Sequence, residues 1–285
     1  MFPASTTLTD ACSEHRSCDG ETRHLAMTNI TLEVCVDTPD DAATAASAGA
    51  GRIEICSSLE IGGVTPGPGL VRSATACNIP VFAMIRPRAG DFDYSAAEID
   101  SMVTDIEFFL DCGVSGFVFG VLDSRGRLEE RSLEKLIASC DGMPTTLHRA
   151  FDHCSDPLQS LEVAVQLGFD RILTSGASPT ANAGLPLLKK LFAKADGRII
   201  IMPCGDVTPA TVDRLLDNLP VQEIHASCKS PIVPARKTGS EVNVGRVDVQ
   251  DRFATDPEIL RELLNVMNSR QETASIQVTN GKERS

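Results

Sequence analysis

The chain has 285 residues, with 26 Lys and Arg against 39 Asp and Glu, a formal charge of −13. An acidic surface repels phosphate backbones and anionic headgroups, which excludes non-specific nucleic-acid binding and a polybasic membrane patch. With 42% apolar and 23% charged residues, no Trp and one Tyr, the composition is that of a globular protein with an aliphatic, Phe-containing core.

The first 28 residues are rich in Ser, Thr and charge and lack periodicity, so a mobile tail is expected there. Within it Cys12, His15 and Cys18 have a spacing that suits a soft metal, but three ligands in a tail are a weak signal. Asp10, Glu14, His15 and Arg16 interrupt any signal-peptide core, and no apolar run approaches the ~20 residues needed to span a bilayer. Ten cysteines without a C-x-x-C pair, in a chain long enough to build a large core, point to free thiols in a reducing cytoplasm.

From Leu32 onward, β-branched runs alternate with helical patterns. The predicted strands are Leu32–Val36, Arg52–Ser57, Val81–Pro87, Gly116–Leu122, Thr145–Asp152, Arg171–Gly176, Ile199–Gly205 and Glu223–Cys228. Their continuous apolar runs are those of strands covered on both faces. Between them, Thr38-Pro39, Thr65-Pro66, Asp156-Pro157, Thr208-Pro209 and Asp256-Pro257 each put a capping oxygen before a proline at N1. Ser95 and Glu98 form a capping box ahead of the apolar stripe Ile99, Met102, Val103, Ile106 and Leu110. Gly49, Gly113 and Gly168 stand where helices close. Residues 229–253 are expected to be a long loop, and 271–285 an unstructured tail.

Eight strand–helix repeats match a (β/α)₈ TIM barrel, an α/β fold, as one domain over residues 29–270. A doubly wound sheet is the rival, but no G-x-G-x-x-G or P-loop follows any strand. In a barrel the strand C-termini form the working face, and alternation decides which side chains point inward. Glu33 with Cys35, Glu54 with Cys56, Met84 with Arg86 and Arg88, His148 with Asp152, and Glu223 with His225 then share faces. Charges inside a barrel must pair or hold a ligand, because an unpaired one is costly.

These residues carry a resemblance. Glu33-Val-Cys35, Gly51-Arg-Ile-Glu-Ile-Cys56-Ser57, Gly62-Gly-Val-Thr-Pro66, Ile85-Arg-Pro-Arg88 with Gly90-Asp-Phe92, His148-Arg-Ala-Phe-Asp152, Leu173-Thr-Ser-Gly176 and Glu223-Ile-His225 resemble the CutC copper-homeostasis family. The resemblance runs from about Leu32 to Cys228 and implies a TIM barrel, a cytosolic location, copper handling and self-association as a dimer or tetramer. The loop Pro203-Cys204-Gly205-Asp206 departs from the Gly-rich pattern usual in the family.

Two functional readings follow. In the first, Cys35 and Cys56, on adjacent strands ~5 Å apart by sheet spacing, hold Cu(I), with Cys204, His225 and Met84 along the same arc. Its bland counterpart makes both cysteines small buried hydrophobes. In the second, the barrel is an enzyme acting on a small anionic metabolite, a carboxylate or a sugar phosphate. Arg52, Arg86, Arg88 and Arg149 would clamp the anion. Glu33, Glu54, His148, Asp152 and His225 would move protons. Thr174, Ser175 and Gly176, with the helix N-terminus at Thr208, would donate to phosphate. A scaffold whose faces bind a partner is a third class, with no groove or repeat to support it.

Overall fold

A computed structural model describes residues 30–232 and 252–282. The expected N-terminal tail, with Cys12, His15 and Cys18, and most of the expected loop after strand eight lie outside the described residues. Eight parallel strands form one sheet: β1 (Thr31–Val36), β2 (Arg52–Ile55), β3 (Val81–Met84), β4 (Gly116–Phe119), β5 (Thr145–Leu147), β6 (Arg171–Thr174), β7 (Ile200–Pro203) and β8 (Glu223–Ala226). The hydrogen-bonded order runs β7-β6-β5-β4-β3-β2-β1-β8, and β7 packs beside β8 to bring the sheet nearly to closure as a TIM barrel. Helices α1 (Pro39–Ala48), α2 (Pro68–Thr75), α3 (Ala96–Asp111), α4 (Glu130–Ser139), α5 (Pro157–Leu167), α6 (Leu185–Ala195), α7 (Val212–Leu216) and α8 (Pro257–Lys282) alternate with the strands. Among the described residues, no helix is long and apolar enough to cross a membrane.

Strand alternation divides the interior in two. Leu32, Val34, Val36, Ile53 and Ile55 are buried in one large cluster shared with Val71, Ile106 and Leu161 of the helices. Each such side chain contributes roughly 1.5–3 kcal/mol on burial. The opposite parity fills the lumen, with one small group of Cys56, Phe82, Met84 and Val118 and another of Leu173, Met202 and Cys204. The rest of the lumen is polar. Register places Glu33 opposite both Arg52 and His225, and Cys35 opposite Glu54, so these side chains lie in adjacent positions on three neighbouring strands.

The punctuation is partly as the residues predict. Thr38 accepts from the Asp41 N–H, Asp156 from Leu158 and Gln159, and Ser95 with Glu98 closes a full capping box. Gly49 and Gly168 close α1 and α5 at φ of 102° and 86°, a region where a Cβ is strained. Thr65-Pro66 does not open a helix: α2 starts at Pro68 behind Gly67, and the Thr65 hydroxyl instead accepts from the Arg86 N–H. Thr208-Pro209 heads a turn, and the helix that follows, α7, starts only at Val212.

The strands end earlier than their apolar runs suggest, because chain leaving the barrel exchanges ladder bonds for loop bonds. Arg86 and Arg88 therefore follow β3 rather than belong to it. Strand five stops at Leu147; residues Arg149–His153 form a 3₁₀ turn, so Asp152 does not share a strand face with His148. The expected loop after β8 is flanked by a short antiparallel ribbon, β9 (Lys229–Pro231) with β10 (Phe253–Thr255). The backbone of α8 is helical from Pro257 to Lys282.

Candidate functional site

The N-terminal end of the lumen is closed by charge. Arg52 and Arg171 open β2 and β6, and Glu223 opens β8. Arg52 donates through Nε to Glu33 and through Nη2 to Glu223, which also accepts from Arg171 at 3.0 Å. Both guanidiniums stack on the Phe82 ring, at 4.7 and 5.0 Å from its centroid. Two positive and two negative charges are thus paired away from water. Burial alone would raise the Glu33 pKa, but Arg52 and His225 outweigh it and bring the carboxyl down to about 2. Glu33 and Arg52 are therefore internal partners, and neither lines the cavity above them.

That cavity opens at the C-terminal mouth, with a volume of about 390 Å³. Cys35, Glu54 and His225 stand in its wall, and Cys35 Sγ, a Glu54 carboxylate oxygen and a His225 ring nitrogen all lie within 4.8 Å of one another. All three residues are buried. His225 Nδ1 is 2.8 Å from Glu33 Oε1, which orients the ring. Burial works against a charged His225, yet Cys35, Glu54 and Glu33 hold its pKa well above 6.5. Burial pushes Glu54 up to about 7, with His225 holding it back, and its Oε1 has no hydrogen-bond partner. A thiol, an imidazole and an unsatisfied carboxyl converging in one wall make a donor set that fits a transition metal.

Cys56 is not part of this group. It faces the lumen among Phe82, Met84 and Val118, and its thiol points at the Val36 carbonyl at 3.6 Å. Burial, with Glu54 nearby, pushes its pKa well above 9. The three-residue cluster thus joins Cys35 to Glu54 and His225, with Cys56 outside it. Cys204 packs with Leu173 and Met202, and burial pushes its thiol up to about 12.

Across the cavity stands His148. Its Nδ1 accepts from the Ala150 N–H at 3.2 Å, which leaves the proton on Nε2, and that atom is buried without a partner. Burial, reinforced by Arg86, lowers its pKa to about 3, so the ring is neutral in the native state. Phe92 meets it edge-on at 5.0 Å, and Gly120 leaves it room, since a Cβ there would come within 2.7 Å of Nδ1. Unfolded histidine takes a proton near 6.5, which the native ring refuses until about 3, so acidification through that window favours unfolding. His148→Gln is expected to reduce the loss of stability between pH 6 and 4 by up to about 1.4 kcal/mol per pH unit, read from urea unfolding at each pH. An unchanged slope would place the proton uptake elsewhere.

The arginines are divided. Arg86 lines the cavity but is held by the carbonyls of Ile61, Gly63 and Gly90, tying the loops after β2 and β3 together; its Nε is unpartnered. Arg88 turns outward to Asp91 and Glu98 and does not reach the cavity. Arg149 sits at the rim, with Nε 2.8 Å from Asp152 and Nη2 2.9 Å from the Ser175 hydroxyl. Asp152 makes no hydrogen bond to His148. Its carboxylate accepts from the N–H groups of Ser175 and Ala177 and from the Thr174 hydroxyl, and it shares the Ser175 hydroxyl with the Ser178 carbonyl. The Gly176 N–H is used by Thr174 Oγ1. The donors expected to receive a substrate phosphate are thus occupied from within.

Several cavity and floor residues were given no functional role by sequence. Arg171 carries the same signal as Arg52, a charge opening an apolar strand, and Phe92 lies in a loop whose path only the fold reveals. His153 reaches the wall because strand five ends early, a turn that no local residue announces. A second cleft of about 480 Å³, lined by Asp123, Arg127, Glu129 and Asp156, lies outside the barrel lumen. Its polar groups serve local structure: Asp123 pairs with Arg127, while Glu129 and Asp156 cap α4 and α5.

The model of the CutC family matches residues 30–230. A family protein CutC of Sinorhizobium medicae (strain WSM419) is 49% identical over 204 residues, 72% of this chain and 83% of that protein. The human copper homeostasis protein cutC homolog is 44% identical over 206 residues, covering 72% of this chain and 76% of the relative. A crystal structure of a putative copper homeostasis protein CutC from Streptococcus agalactiae superimposes with a TM-score of 0.67 at 32% identity, over 70% of this chain and 98% of the other.

Proposed function

Because the chain belongs to the CutC family, we propose that it serves copper homeostasis by binding Cu(I) at the C-terminal mouth of the barrel. One observation carries this reading: the convergence of Cys35, Glu54 and His225 within 4.8 Å in the cavity wall. Thiolate sulfur is the soft ligand that suits Cu(I), and imidazole suits copper as well. Glu33 against His225 Nδ1 orients the ring and leaves Nε2 for the metal, the role an outer carboxylate plays behind a metal-bound histidine. Copper here is cargo, taken and released, and the cavity is its route to the thiol.

The test is a competition for Cu(I) between the reduced chain and a coloured Cu(I) chelator. The chain is expected to withdraw one equivalent. A chelator that keeps all the metal overturns the copper reading, and preference for Zn(II) over Cu(I) at equal access redirects it. A cytosolic location and self-association as a dimer or tetramer belong to the same proposal, and fractionation with sedimentation measures both.

A second reading is favoured by a separate observation. The cavity is far larger than a metal ion, and its wall includes His148 and Arg86, each with a buried N–H that has no partner. A small anionic metabolite that reached these donors would relieve both, as in an enzyme that acts on such a compound. Small carboxylates are expected to raise the melting temperature of the wild type, and His148→Ala or Arg86→Ala to remove that rise. No shift across a broad screen sinks this second reading without touching the first.

A further inference from the structure

We infer that Asp152 is the resident anion of this barrel, filling the place of a substrate phosphate, and that the metabolites accepted at the mouth are unphosphorylated. The inference deepens the second reading and rests on it for the word metabolite. The loop after β6 turns through two consecutive left-handed residues, Gly176 at φ 71° and Ala177 at φ 51°. The turn carries the N–H groups of Ser175 and Ala177, on either side of Gly176, to one point, while the Gly176 N–H between them goes to Thr174 Oγ1. At that point stands the carboxylate of Asp152, brought in by the 3₁₀ turn after β5.

The carboxylate accepts from Ser175 N at 3.1 Å, Ala177 N at 3.0 Å, Thr174 Oγ1, and Arg149 Nε at 2.8 Å, and Ser175 Oγ, whose one proton is shared with the Ser178 carbonyl at 2.5 Å, lies 3.0 Å away. Its side chain is only 6% exposed. Two main-chain amides, a hydroxyl and a guanidinium are what a barrel loop offers to a phosphate. Here all four are used by a group bound covalently to the chain, which no free anion can match in local concentration. The loop has no slack to admit both: a Cβ on Gly176 would come within 2.5 Å of the Gly184 carbonyl oxygen. Asp152 is therefore a specificity-determining residue that excludes phosphate, while Arg149, half-exposed at the cavity rim, keeps a face toward the ligand.

The experiment compares melting temperatures of the wild type and Asp152→Ala in inorganic phosphate and in chloride of equal ionic strength. The wild type is expected to shift by less than about 1 °C. Asp152→Ala, destabilised in chloride, is expected to recover by about 4 °C or more once phosphate stands at about a hundred times its Kd. Asp152→Asn, which keeps the side chain's volume, is expected to be destabilised but to gain nothing from phosphate. If Asp152→Ala does not fold in chloride, refolding in phosphate should restore the native circular dichroism. The inference is overturned by phosphate stabilising the wild type, by a folded Asp152→Ala indifferent to phosphate, or by a variant that phosphate cannot refold. Carboxylate-dependent stabilisation of the wild type reports on the second reading separately, so the two can fail independently.

Discussion

Arg52→Ala is expected to lower the unfolding free energy by about 3–5 kcal/mol, the usual result of removing one partner from a buried ion pair. The size follows from what is left behind. Glu33 is wholly buried and loses the cation that most strongly opposes its desolvation, while Glu223 keeps only Arg171. The stacking of Arg52 on Phe82 is lost too. The deficit should depend on pH. With Arg52 present, Glu33 ionises at about 2 in the native state against 4.5 in the unfolded chain, so its stabilisation exists above 4.5 and disappears as pH falls toward 2. In Arg52→Ala that stabilisation is missing from the start, so wild type and variant should converge on acidification. Urea unfolding at pH 7 and pH 3 measures both. A loss under about 1 kcal/mol at pH 7 would return Arg52 to the list of ligand-binding residues.

Cys35→Ser is expected to weaken Cu(I) binding by about 100-fold or more. Substituting a group that merely orients a ligand costs ~10–100-fold in metal affinity, so removing the soft ligand itself should cost at least that. His225→Ala should produce a loss of similar order. Cys56→Ser should stay within about 10-fold, because its thiol is directed at the Val36 carbonyl and burial keeps it protonated. Chelator competition on the three variants gives the ranking. A Cys56 effect equal to that of Cys35 would restore the paired-thiolate site suggested by sheet spacing, and would mean that the two strands adjust when metal binds.

The difference between paired thiolates and the cluster of Cys35, Glu54 and His225 illustrates which parts of the site can be read from the chain. Alternation correctly points Glu33, Cys35, Glu54, Cys56 and His225 into the lumen, because parity on a parallel strand is a local property. Whether two inward side chains meet depends on stagger between strands, and register puts Cys35 beside Glu54 and Glu33 beside His225. Asp152 is the opposite case. Four residues beyond His148, it looks like a strand partner, and only the early end of β5 and the 3₁₀ turn carry it across to the β6 loop. Arg88 and Arg86 are separated in the same way: two residues apart, one is drawn to Asp91 and Glu98 outside and the other to three loop carbonyls inside.

The amino-acid order by itself determined the repeating strand–helix architecture, the caps at Thr38, Ser95 and Asp156, and which residues face the lumen, since each depends on neighbours a few positions away. The tertiary structure alone decided which inward charges neutralise one another at the floor, which remain unpartnered at the mouth, and which carboxylate takes the N–H groups of the β6 loop. Those outcomes turn on contacts between atoms up to 192 positions apart, as Glu33 and His225 are. Their free energies are set by burial and by the nearest opposite charge, and neither quantity exists until the barrel has formed.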